Sequence, residues 1–265
     1  MKPCIFCPNT RTTKRGEHIW DDWLNRDNGK QIRRPSTVFE HGENGALVRE
    51  YKSDGLHATR AVVCDKCNNT WMSDITTSAK YQMEGFIRHD RPGTLDEIGI
   101  VTIATFAFMK SAVLDWSAED TRQPCISRSL CTQFRDSLMP WSSTVDIAIP
   151  PGTQIWLARY RGERAMEAFA VIDELKGGLV NIQRILVITY VVGSFVFQLT
   201  APKWRRSNRH QDMPAQVFKP IGDTKSISIW PNARTARWPP RTQLSRSTLE
   251  DFRERFRRVV VIRRR

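Results

Sequence analysis

From Asn68 onward apolar residues recur at three- and four-residue steps, at Trp71, Met72, Ile75, Ala79, Met83, Phe86 and Ile87, and this stripe predicts an amphipathic helix. The next run, Leu95 to Trp116, is apolar almost all round and predicts a buried helix, with Lys110 its one cation. A shorter amphipathic helix is expected from Ser127 to Leu138. After Pro140 the texture changes. Val145 to Ile149, Gln154 to Tyr160, Ala165 to Ile172, Ile185 to Val192 and Ser194 to Thr200 are rich in Val, Ile, Phe and Tyr, with Gly or Pro in several of the breaks, so an antiparallel sheet is expected. Trp204 to Arg246 has no clear period and reads as an irregular wrap over that sheet. Ser247-Thr248-Leu249-Glu250 matches a capping box that would open a last helix, followed by an arginine-rich tail. The Pro92-Gly93 pair lies among polar residues and reads as a boundary. The expected class is therefore α+β. An N-terminal unit spans 1–91, and an α+β domain spans 92–265, with helices about 95–138, an antiparallel sheet about 144–230 and a basic C-terminal helix and tail.

The chain has 265 residues, 40% of them hydrophobic, which is enough to bury a core. Charge is placed unevenly. Residues 201–265 hold 17 Lys and Arg against 5 Asp and Glu, and so supply +12 of the net +13. A one-sided excess of this kind fits a polyanion, nucleic acid first and an anionic membrane surface second. No apolar stretch at the chain start resembles a signal peptide. Ile98 to Leu114 is interrupted by Lys110, and Ile185 to Leu199 is short and β-branched, so both read as core elements rather than membrane spans. A cytoplasmic setting with no membrane partner is expected. There, six cysteines are metal ligands or buried thiols rather than disulfides.

Their spacing divides them. Cys4 and Cys7, and Cys64 and Cys67, form two Cys-x-x-Cys pairs, each able to present two thiolates from one tight turn, and together they predict a structural Zn²⁺ site. The 56 residues between the pairs exceed the spacing of a simple zinc ribbon and must carry structure of their own. Cys125 and Cys131 read as ordinary buried thiols. Between the knuckles lies Glu17-His18, and directly after the second knuckle lies Asn68. A carboxylate and an amide oxygen are hard ligands suited to Mg²⁺ or Mn²⁺, and an imidazole can take a proton from water near neutral pH. That set suffices for phosphodiester hydrolysis. As alternatives, Glu17-His18 reads as a surface dipeptide and Asn68 as a helix N-cap; Trp20, Trp23 and Trp71 read as core.

The order Cys-x-x-Cys, acidic-His, Cys-x-x-Cys-Asn resembles the HNH, or ββα-metal, endonuclease superfamily, in particular the zinc-bearing branch that includes phage endonuclease VII. Glu17-His18-Ile19-Trp20 with Trp23-Leu24, and Cys64-Asp65-Lys66-Cys67-Asn68-Asn69-Thr70-Trp71-Met72, also resemble HNH-type proteins of bacteria and their phages. The resemblance covers roughly residues 1 to 90. It implies a zinc-stabilised ββα-metal unit in which His18 is the general base and Glu17 and Asn68 hold a catalytic Mg²⁺ or Mn²⁺. It further implies a nucleic-acid substrate, DNA ahead of RNA, in a bacterial cytoplasm, whether the gene belongs to the bacterium or to a phage. Relatives often have Pro where this chain has Asp21, and the middle Asn of the motif has no obvious counterpart; His57 and Thr59 lie nearest. Oligomeric state is left open, a homodimer included. Two other classes compete with a nuclease: a non-catalytic zinc module that binds nucleic acid, and an interaction protein whose zinc unit serves only as a fold nucleus. The retained Glu17, His18 and Asn68 argue for the nuclease, since neither rival needs all three in this order.

Overall fold

The computed structural model describes residues 3–9, 11–12, 16–18, 21–27, 30–31, 35–41, 47–54, 59–117, 124–139, 149–161, 165–177, 180–202, 226–231, 233–254 and 259–264. The fold is mixed α+β, with helices and antiparallel sheets. The strands of the first part are β1 (Glu17–His18), β2 (Arg26–Asp27), β3 (Lys30–Gln31), β4 (Pro35–His41), β5 (Leu47–Asp54) and β6 (Thr59–Arg60). β1 and β6 form a short antiparallel ribbon in which Glu17 faces Arg60 and His18 faces Thr59. Directly after it come α1 (Asp65–Cys67), a π-helical segment (Asn68–Met72) that kinks at Thr70, and α2 (Ser73–His89). The helix thus opens at Asp65, with Cys64 in the extended cap position, and Asn68 is helical backbone rather than the N-cap its residue type suggested. Its actual place, one residue past the last cysteine, follows from the knuckle itself: the Asn68 N–H closes the turn onto the Cys64 carbonyl at 3.0 Å.

Beyond α2, β7 (Gly93–Leu95) leads into α3 (Glu97–Ser117) and α4 (Arg128–Ser137). The segment around Pro92-Gly93 is anchored at both ends. Asp90 ends α2 in the left-handed conformation with φ 48°, and β7 pairs with β13 (Ala236–Trp238). Ser127 caps α4 by accepting from the Leu130 N–H. α3 is long and apolar enough to cross a bilayer, yet 17 of its 21 residues are buried within the protein, as a central core helix requires. It packs against α2 on one side and against strands of the large sheet on another.

That sheet contains β8 (Gln154–Tyr160), β9 (Ala165–Gly177), β10 (Val180–Gly193), β11 (Phe195–Pro202), β12 (Ser226–Trp230), β14 (Gln243–Leu244), β15 (Val259–Arg264), β4 and β5. Its order is β12-β8-β11-β10-β9-β15-β4-β5, antiparallel throughout except that β14 lies parallel beside the end of β8. The expected strands from Gln154 to Thr200 are all there, three of them longer than their apolar runs. The expected strand at 145–149 falls mostly outside the described residues, as does the wrap between 203 and 225.

Three elements depart from expectation. Ser226–Trp230 is not irregular but an edge strand on β8. The last helix, α5 (Arg246–Glu254), begins one residue before the expected box, because Ser245 rather than Ser247 accepts from the Thr248 N–H, at 3.2 Å. And the basic tail is a strand: β15 pairs with β9 on one side and β4 on the other, as four consecutive β-branched residues, Val259 to Ile262, favour. The buried core runs without interruption from Cys4 to Trp238, across residue 91.

Candidate metal centre and its buried charge neighbour

The two knuckles meet. Ile5 donates its N–H to the Val62 carbonyl at 2.9 Å, so the first Cys-x-x-Cys turn lies against the segment that enters the second. The middle residues of the first turn, Ile5 and Phe6, are fully buried: Phe6 packs edge-on against Trp71 at 5.0 Å, and Trp71 in turn against Phe134 of α4 at 6.2 Å. Arg128 of α4 donates to the Cys7 carbonyl at 2.9 Å. These contacts bring the sulfurs of Cys4, Cys7, Cys64 and Cys67 within 4.8 Å of one another, with Cys7 and Cys64 at 3.5 Å. Tetrahedral Zn²⁺ with Zn–S near ~2.3 Å requires sulfurs about 3.8 Å apart. The spacing is thus of the size zinc needs, and far beyond a disulfide bond.

Closeness and burial act on the thiols in opposite directions. A hydrogen bond from Cys67 lowers Cys4 to about 4, while Cys67, on the donor side of that bond, is pushed up. Burial raises Cys7. The buried indole N–H of Trp71 has no hydrogen-bond partner of normal geometry, yet it lies beside Cys67 and favours its thiolate, as an outer donor to a metal-bound sulfur does. Burial would lower Arg135, but Asp136 and the nearby Cys67 and Cys7 outweigh it; this cation offsets the net negative charge that four thiolates leave on a divalent ion. The residues therefore fit a structural Zn²⁺. Cys131 and Cys125 are buried outside the cluster, with the Cys131 thiol pushed up by burial and by Asp115.

Glu17 enters a different arrangement. Its carboxylate is 6% exposed and accepts from Lys110 Nζ at 2.7 Å, and Asp21 accepts from the same ammonium, also at 2.7 Å. Lys110 lies in the middle of α3 and is 1% exposed. Burial alone would lower its pKa, but attraction to Asp21 and Glu17 wins and raises it. Asp21 is raised: its burial outweighs the pull of Lys110, and Glu17 adds repulsion. Among the described residues one oxygen of Asp21, Oδ2, is buried with no hydrogen bond of normal geometry, although the Thr76 hydroxyl lies beside the carboxylate, and Asp21, Lys110 and Tyr190 border a cavity of about 10 Å³. That is close to the room one water needs. Tyr190 of β10 donates to the Lys110 carbonyl at 2.9 Å, so the same residue ties α3 to the sheet and to the segment after β1.

Of the residues singled out in the sequence, the four cysteines converge. Glu17 is committed to Lys110, so a divalent cation at this carboxylate has to share it with an ammonium. Asn68 is half-buried in the π-helical turn and, among the described residues, its amide makes no side-chain hydrogen bond. His18 is placed by its backbone opposite Thr59; its side chain lies outside the described residues, as do His41, His57 and Trp20. Lys110 and Asp21 were missed as a pair, although a lone lysine inside an otherwise apolar helix demands a buried acid and Glu17-x-x-x-Asp21 supplies two. The chain matches no family model, no curated protein and no solved structure.

Proposed function

We propose that the chain is a metal-dependent endonuclease of the HNH type that hydrolyses phosphodiester bonds in nucleic acid, DNA ahead of RNA. One succession of elements supports the reading: a short antiparallel ribbon bearing Glu17 and His18 leads into the second cysteine knuckle of the four-cysteine cluster, and the helical turn that bears Asn68 follows directly. Ribbon, knuckle and helix follow in the order that the resemblance to ββα-metal nucleases implies. In this reading His18 accepts a proton from the attacking water. Glu17 and Asn68 offer the carboxylate and amide oxygens that Mg²⁺ or Mn²⁺ prefers, and such a cation supplies charge stabilisation at the phosphate. Zinc at Cys4, Cys7, Cys64 and Cys67 keeps ribbon and helix in register.

A second reading, a zinc-stabilised module that binds nucleic acid or protein without cutting, is favoured by one observation: the buried Glu17–Lys110 pair is also what a purely structural carboxylate would form. Incubation with single-stranded, duplex and branched DNA and RNA in Mg²⁺ or Mn²⁺ separates them. A nuclease cuts at least one substrate, and His18→Ala abolishes the cut while keeping zinc, fold and binding. Wild-type protein that binds but cuts nothing selects the second reading, and His18→Ala with undiminished cleavage removes the mechanism.

A further inference from the structure

The C-terminal end of α2 and the turn between β10 and β11 enclose a cleft of about 290 Å³, lined in part by Arg88, His89, Asp90, Arg159, Arg161 and Ser194. Three arginines and one aspartate thus belong to its lining. Arg159 is paired with Asp90, and Arg88 is held by Glu84 at 3.0 Å and by the Trp23 carbonyl. Each such bond fixes the plane of a guanidinium at the cleft. Arg161 is different. Its backbone N–H is tied to the Leu244 carbonyl at 2.8 Å, but its side chain is exposed and, among the described residues, has no partner. The cleft wall is set by backbone: Gly193 has φ 61°, and a Cβ there would meet the Ile87 carbonyl oxygen at 3.3 Å, so only glycine lets the turn come this close to the helix end.

We propose that this cleft is a phosphate-binding subsite that holds the backbone of the nucleic acid on which the protein acts. The inference rests on the nucleic-acid reading above and adds where the strand lies. Anchored arginines around one uncommitted arginine are the donor set that a phosphodiester takes. The volume is at the small end for ligand pockets, enough for about one nucleotide unit. The Arg88 bond to the Trp23 carbonyl ties one lining residue of the cleft to the segment that follows Glu17-His18.

The test is binding, measured by fluorescence anisotropy on the full chain with labelled duplex and single-stranded oligonucleotides, without added divalent cation so that nothing is cut. Arg161→Ala should flatten the dependence of log K on log salt by about 0.9 for duplex, and Arg161→Glu should weaken binding about tenfold or more. Arg161 is exposed, so both variants should keep wild-type zinc content and melting temperature, which excludes misfolding as the cause. Affinities within twofold of wild type and an unchanged salt slope in both variants would overturn the proposal. So would displacement of the oligonucleotide by micromolar adenosine 5′-monophosphate, which would assign the cleft to a free nucleotide. Binding lost in these variants supports the subsite whether or not the wild type cleaves, so its failure and that of the nuclease reading are told apart.

Discussion

Replacing Lys110 by Met should be among the most damaging single changes in this chain. The ammonium is 1% exposed and bonded at 2.7 Å to both Glu17 and Asp21, so solvent screens neither contact and no water can take its place. Met fills most of the lysine stem's volume and leaves α3 apolar, but two buried carboxylates lose the ammonium to which both are bonded. Removing one partner of a buried ion pair costs roughly 3–5 kcal/mol, mainly because the surviving charge is stranded. Taking ~4 kcal/mol and a urea m-value near 2 kcal/mol/M, the unfolding midpoint should fall by about 2 M. The control is the triple variant Glu17→Gln, Asp21→Asn, Lys110→Met. Removing all three charges together should recover most of the loss, since the cost lies in the unpaired charges and not in missing contacts. Urea titration followed by tryptophan fluorescence reads both proteins. A midpoint within about 0.5 M of wild type for Lys110→Met would refute the buried network, and a triple variant as unstable as the single one would refute the electrostatic reason for it.

The remaining predictions concern metal and core. The purified chain should carry one zinc, and Cys64→Ser should lose it together with a large part of the protein's stability, whereas Cys125→Ser should keep the metal; plasma emission spectrometry and thermal melts decide. Stripping zinc with a chelator should reproduce the Cys64→Ser melt. Trp71→Ala, which removes the ring between Phe6 and Phe134, should cost about 3–5 kcal/mol in urea unfolding and loosen zinc as well, seen as faster transfer of the ion to a chromogenic chelator. If Glu17 is a cation ligand as well as a partner of Lys110, Glu17→Gln should lose cleavage that partly returns at high Mn²⁺, while a purely structural Glu17 would show altered unfolding with no dependence of activity on Mn²⁺ concentration.

Much of this architecture is legible in the chain because single local signals dominate. The α2 and α3 stripes, the runs of Val, Ile and Phe from Gln154 to Thr200, and the paired knuckles each need only neighbours in sequence to declare themselves. The misreadings share another cause: in each, a partner distant in sequence decides the local structure. Ser226–Trp230 has no clean alternation, yet β8 offers it an open edge. Val259–Arg264 reads as a charged tail when the arginines are counted, but β9 and β4 stand ready on either side and the β-branched residues decide. Pro35–His41 and Leu47–Asp54, hidden in what reads as a polar insertion between the knuckles, become two strands of a sheet whose other members come mostly from beyond residue 150.

The same distance in sequence governs the site. Spacing alone brings four cysteines to one point, because each knuckle is local and only one long-range contact is needed to join them. Spacing says nothing of Lys110, 93 residues from Glu17, and so gives no hint that the candidate ligand is already neutralised. Lys110 changes what Glu17 can do. A carboxylate facing water binds a divalent cation at the cost of its hydration; one bonded to a buried ammonium must also surrender or share an ion pair, which favours weak cation binding unless the phosphate of a bound substrate contributes further ligands. On the nuclease reading, cation and nucleic acid should therefore bind together rather than in sequence, and a cation titration of the free protein would understate the affinity that would matter during cleavage. On the same reading the ammonium would fix the carboxylate in place before either arrives, so that a metal site would not have to be assembled during the reaction.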